Sequence, residues 1–152
     1  MTVNFINIFC IKFVYKVIFC LRIMMHKTVQ NLIDIENKIK SSLKDLNNIN
    51  LPNIIAVSKT FKIDNIMPLI DHGHLNFGEN KVQEAIDKWT EIKKEKPNLQ
   101  LHMIGKLQTN KVKFAVKLFD FIHSVDSEKL ANKIASEQIK INKKIKIFIQ
   151  VN

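Results

Sequence analysis

The sequence predicts an α/β fold built from parallel βαβ units. Short continuous apolar runs alternate with segments whose apolar residues recur at helical spacing, and turn residues separate the two kinds of segment throughout. Continuous apolar runs are the mark of strands covered on both faces, as the strands of parallel sheets are. Regular alternation leaves two architectures, a doubly wound open sheet or part of a (β/α)8 barrel, and periodicity does not choose between them.

The elements follow in order. From His26 to Leu46 the apolar residues Val29, Leu32, Ile33, Ile35, Ile39, Leu43 and Leu46 recur mostly at helical spacing, with Lys38, Lys40 and Lys44 on other faces, which predicts an amphipathic helix. Asn47 to Asn53, with Pro52 close behind Asn50, ends it, and Ile54 to Val57 reads as a buried strand closed by Ser58 and Lys59. Asp64 to Asp71 predicts a short helix stopped by Gly73, and Leu75 to Phe77 a brief strand ending at Gly78. Val82, Ala85, Ile86, Trp89 and Ile92 keep 3.6-residue spacing as far as Lys96, where Pro97 and Asn98 terminate the helix and put Trp89 in the core. Leu99 to Ile104 is the third strand, Thr109 to Phe119 the next helix and Phe121 to Val125 the fourth strand. Asp126 is the expected N-cap of the following helix, and Ile145 to Val151 the fifth strand.

Composition narrows the function classes. A chain of 152 residues with 46% apolar content has material for one ordinary core. Its two cysteines, Cys10 and Cys20, exclude a disulfide-rich scaffold, and their absence after Cys20 excludes thiol catalysis and a cysteine zinc site in the body and fits a reducing compartment, the cytoplasm. The net charge of +10 suggests an anionic partner, yet Arg22 is the one arginine among 24 basic residues. Nucleic-acid readers rely on the planar arginine fork, so the charge is read as lysine on solvated helix faces and no nucleic-acid partner is expected.

Residues 1–25 form an apolar extension, set apart from the body at 26–152. Lys12 and Lys16 interrupt its apolar run, each at a cost of about 2.5 to 3.5 kcal/mol within a bilayer, so stable membrane anchoring is not expected. It also lacks the basic start and small-residue cleavage site of a signal peptide. Met24 and Met25 precede an ordinary soluble start, so the extension reads as an over-extended reading frame, a weakly membrane-associating segment or an extra, partly buried helix.

In either architecture function sits beyond the carboxyl ends of the strands. Ser58 and Lys59, Gly78 to Asn80, Gly105, Ser124 with Asp126, and Asn152 collect there. Lys59 follows a buried strand directly; partial desolvation there frees a neutral amine to attack an aldehyde, whereas the plainer reading is a surface lysine at a strand end. His72 and His74 flank Gly73 at the other ends of the strands and lack the further ligands zinc needs, so they read as a turn pair. No glycine-rich phosphate loop and no identifiable Ser, His and Asp triad is present.

Five blocks in sequence carry a resemblance: AVSKT at Ala56 to Thr60, FGENKVQE at Phe77 to Glu84, LHMIGKLQTNK at Leu101 to Lys111, FIHSVD at Phe121 to Asp126 and IQVN at Ile149 to Asn152. In order and spacing the chain from about Val29 to Asn152 resembles the pyridoxal phosphate homeostasis proteins, the YggS/PROSC family, whose domain is like the N-terminal barrel of alanine racemase. The resemblance implies a partial (β/α)8 barrel of about five of eight units, with pyridoxal 5′-phosphate as cofactor in a Schiff base on Lys59. It places Asn80 near that cofactor and Met103, Ser124 and Asn152 at strand ends facing its ring. Glu79, Gln83 and Gln108 to Lys111 match family blocks without individual roles. Lys106 stands where many relatives have proline, a departure that touches a local turn.

The function implied is reversible binding of pyridoxal phosphate in vitamin B6 and amino-acid homeostasis, by a carrier rather than an enzyme. The alternatives are a racemase-like enzyme, whose second base comes from a C-terminal domain in the relatives, or an inactive truncated product. The family barrel runs roughly another hundred residues past the position of Asn152, and phosphate in such barrels is commonly held after strands seven and eight. A truncated chain, or one completed by a partner chain, is therefore expected here; complete relatives are expected to be monomers.

Overall fold

The computed structural model describes residues 25–43 and 51–151. Two compact units divide the chain, Met1–Leu51 and Pro52–Asn152. In the first, helix α1 (Lys27–Ser42) begins at His26, whose ring nitrogen accepts the Thr28 N–H at 3.3 Å, and buries Val29 and Leu32. The expected extension of this helix to Leu46, and every reading of residues 1–24, fall outside the described residues. No described helix is long and apolar enough to cross a membrane.

The second unit runs β1 (Ala56–Val57), α2 (Ile63–Asp71), β2 (Asn76–Glu79), α3 (Val82–Glu95), β3 (Gln100–Met103), a 3-10 turn (Thr109–Lys111), α4 (Val112–Leu118), β4 (Phe121–Val125), α5 (Glu128–Lys140) and β5 (Lys146–Ile149). All four strand pairs are parallel, and the strands lie in the order β1-β2-β3-β4-β5. Strand order decides what periodicity left open. A doubly wound sheet reverses direction at a switch point, whereas unbroken sequential winding is that of a barrel wall, here five strands of one.

One sheet face carries the core. Phe77, Leu101, Met103 and Ile122 pack there with Trp89 of α3 and Val112, Ala115 and Val116 of α4, all at most 1% exposed. The register Phe77↔Leu101 and Glu79↔Met103 puts Glu79 on this face too. The other face carries rings in place of a helix. His102 stacks on Phe121 with ring centroids 4.2 Å apart, and His123 stacks on Phe148 at 4.5 Å. Lys146 Nζ lies 4.9 Å from the centre of the Phe121 ring.

Three ties at the amino ends of the strands meet on Asp120. It accepts the Leu101 N–H at 2.9 Å, pairs with Lys93, and lies 3.4 Å from Lys143. Burial lowers the Lys143 ammonium pKa, an effect that Asp120 opposes.

Several boundaries differ from expectation for physical reasons. Only Ala56 and Val57 of the first apolar run pair as strand, and Val57 is 47% exposed, because β1 is a margin of the sheet with one neighbour among the described residues. Strand β5 is the other margin, exposed along its whole length rather than covered. Ser127, not Asp126, caps α5, its hydroxyl accepting the Leu130 N–H at 3.4 Å. The helix expected from Thr109 opens as a 3-10 turn and becomes α-helical at Val112.

Candidate functional site

Ser58 follows β1 directly and is fastened to the next strand. Its N–H donates to Gly78 O at 2.9 Å and its hydroxyl to Glu79 Oε1 at 2.7 Å. Lys88 Nζ, reaching from α3, donates to Ser58 O at 2.7 Å and to the same Glu79 oxygen at 2.9 Å. Trp89 Nε1 is a third donor to Glu79 Oε1, at 2.9 Å. Glu79 is fully buried, and its Oε2 has no hydrogen-bond partner among the described residues. The charge taken out of water is balanced by Lys88, and the carboxylate ties β1, β2 and α3 together directly beneath the rim.

Lys59 emerges from this anchored strand end in the turn at residues 59 and 60, and it is exposed. The partial desolvation expected for it is absent, because β1 lies at the sheet margin and burial stops at Ser58. Two of the other expected residues share a hollow of about 520 Å³: Asn80 forms part of its wall beside Lys81, and Met103 lies buried at its floor. Lys106, Gln108 and Lys111 close the other side.

Ser124 donates its hydroxyl to Gly105 O at 2.6 Å, holding the loop after β3. Gly105 presses on the loop after β2 so closely that a Cβ there would sit 2.3 Å from Asn80 O. Lys59 and Ser124 are not among the residues lining the hollow. Asn152 lies outside the described residues.

The turn histidines take structural parts. His74 Nε2 lies 2.9 Å from Asn76 O and its ring meets Phe77 edge-on at 5.2 Å, while Gly73 adopts φ +97°. No group of three or more metal-ligating side chains occurs among the described residues. Sequence reading missed the Glu79 hub and the His102–His123 pair. The signal for the hub was an acid two residues after Phe77, in a strand whose alternation turns both to the core.

The fold and site define a class: one wall of a parallel α/β barrel, offering an exposed lysine on a rigid base at the rim where such barrels carry function. The family described as alanine racemase, N-terminal domain, matches residues 33–152, and the chain belongs to it. Among its relatives, the pyridoxal phosphate homeostasis protein of Haemophilus influenzae is 37% identical over 124 residues, which cover 80% of this chain and 52% of that protein. The protein of the same name from Escherichia coli is 34% identical over 100 residues, covering 65% and 43%. PipY of Synechococcus elongatus PCC7942, solved with PLP bound, superposes with a TM-score of 0.62 at 38% identity, covering 76% of this chain and 53% of that one. The chain thus spans about half the length of the relatives it matches.

Proposed function

We propose that this protein binds pyridoxal 5′-phosphate covalently through Lys59 and serves intracellular vitamin B6 and amino-acid homeostasis, as a carrier rather than a catalyst. The observation that carries the reading is the placement of Lys59: an exposed amine, one residue beyond a serine fastened by Gly78, Glu79 and Lys88, on the carboxyl rim of a family barrel. An accessible amine suits condensation with the cofactor's aldehyde, which releases one water, and a rigid base keeps that amine at the rim. Relatives named for pyridoxal phosphate homeostasis and the cofactor-bound PipY structure support the same reading. Asn80 directly after β2, Met103 at the end of β3 and Ser124 within β4 are assigned to the same site, with Asn152 as a further cofactor-binding residue. The cysteine-free body fits a reducing compartment, and we assign the activity to the cytoplasm.

The test is borohydride trapping of the full chain after incubation with pyridoxal phosphate, followed by peptide mass analysis beside Lys59→Ala. The expected result is one dominant pyridoxyl adduct on the Lys59 peptide and none above background in the variant. Equal labelling spread over many lysines in both proteins would overturn the assignment.

A further inference from the structure

We propose that the hollow between the start of α3 and the loop after β3 is an anion site that takes the phosphate of a phosphate-bearing small molecule on Lys81, Lys106 and Lys111. Three cationic side chains line it, Asn80 and Gln108 add amide donors, and no carboxylate is among the lining residues. Lys81 is partly neutralised by Glu84 at 2.6 Å, but Lys106 and Lys111 have no ion-pair partner among the described residues. Lys111 is half-buried as well, its stem packed into the side of the hollow.

The walls are set before any ligand arrives. Gly105 abuts the Asn80 backbone, and the Ser124 hydroxyl holds Gly105 from the far side at 2.6 Å. Buried Met103 makes the floor. A preformed hollow of about 520 Å³ lies within the size range of small-molecule sites and is large enough for a phosphate with an organic body. The positive end of the α3 dipole opens on the same side and adds to a field the lysines already establish.

The bound phosphate has two sources, a pyridoxal phosphate also attached at Lys59 or a separate metabolite. Inorganic pyrophosphate is the probe, titrated calorimetrically into the full chain at low and at raised salt. We expect saturable binding that weakens with salt, with Lys106→Gln and Lys111→Gln each lowering affinity about tenfold, as loss of a charge-assisted hydrogen bond does. Lys144→Gln, which removes the same charge from an exposed lysine that does not line the hollow, should leave it unchanged. Thermal melts of all variants check that the fold is retained. Absence of saturable binding at millimolar pyrophosphate would overturn the proposal, as would equal weakening by Lys144→Gln.

A second arm repeats the titration on protein whose Lys59 adduct has been reduced with borohydride. Lost binding there identifies the cofactor's own phosphate as the occupant, and retained binding a separate metabolite; both uphold the anion site. The first arm does not need the adduct, so failure of the Lys59 reading and failure of this one are told apart.

Discussion

At the scale of single residues, the rim rests on one carboxylate. Glu79 Oε1 receives Ser58, Lys88 and Trp89 together, and all three lose that partner in Glu79→Ala. Removing one side of a buried ion pair costs about 3 to 5 kcal/mol, and a loss of that size is expected in the unfolding free energy from urea titration, with a lowered midpoint, and Glu79→Gln milder because it can still accept from Ser58 and Trp89. An unchanged midpoint for Glu79→Ala would show that the three donors find other acceptors. Gly105 is the second test. Its missing Cβ would lie 2.3 Å from Asn80 O and 2.7 Å from Asn80 Cα, both backbone atoms that cannot swing aside. Gly105→Ala should therefore cost about 1 to 3 kcal/mol in the same measurement, the usual range for overpacking. Lys59 was legible because a lysine directly after an apolar strand is visible in one dimension; Glu79 was not, because its partners come from positions 58, 88 and 89 and meet only once α3 has folded back on β2.

At the scale of elements, the order of strands and helices could be read from periodicity, whereas strand coverage could not. Ile54 to Val57 and Ile145 to Val151 are as apolar as the central strands, yet β1 and β5 are margins, and margin status is a property of topology rather than composition. The histidine layer across β3, β4 and β5 is likewise a product of register, with His102 opposite Phe121 and Phe121 opposite Lys146. His102 Nε2 lies 3.1 Å from Asn76 Oδ1, so it donates there, and its Nδ1 is left to accept from His123 Nε2 at 3.0 Å. Protonating Nδ1 breaks that second bond. Burial, then the neighbouring His123, lowers His102 from 6.5 to about 4; Lys93 adds to the fall and Asp120 opposes it, and burial lowers His123 as well.

The unfolded chain consequently takes up a proton at His102 before the folded one does. The stabilising contribution is complete above the unfolded value of 6.5 and is lost as pH falls toward about 4. Urea midpoints should drop between about pH 7 and about pH 5, and His102→Asn should flatten that drop. Glu137, held at about 2 by hydrogen bonds from Lys133 and then Lys140, titrates below this window and does not obscure it. A pH slope identical in wild type and His102→Asn would remove His102 as its source.

At the scale of the whole molecule, the sheet among the described residues has two margins with one neighbour each, and the β5 margin is the more exposed. Phe148 is 51% and Ile149 77% exposed, and Val151 beyond them is 90% exposed. A strand edge bearing unpaired backbone groups and apolar side chains is a template for another strand, while a net charge of +10 works against association at low salt. These two effects predict self-association that rises with ionic strength, as screening removes the repulsion and leaves the apolar edge. Ile149→Lys should suppress it and, being a surface change, alter stability by no more than about 0.5 kcal/mol. Ile139 supplies the control, since it is 76% exposed but sits on helix α5 rather than on the strand. If association simply follows exposed apolar area, Ile139→Lys and Ile149→Lys will act alike in sedimentation velocity. If it proceeds by strand pairing at β5, only Ile149→Lys will return the chain to a single slow species, and a wild-type chain that sediments as one monomer at every salt concentration would refute both routes.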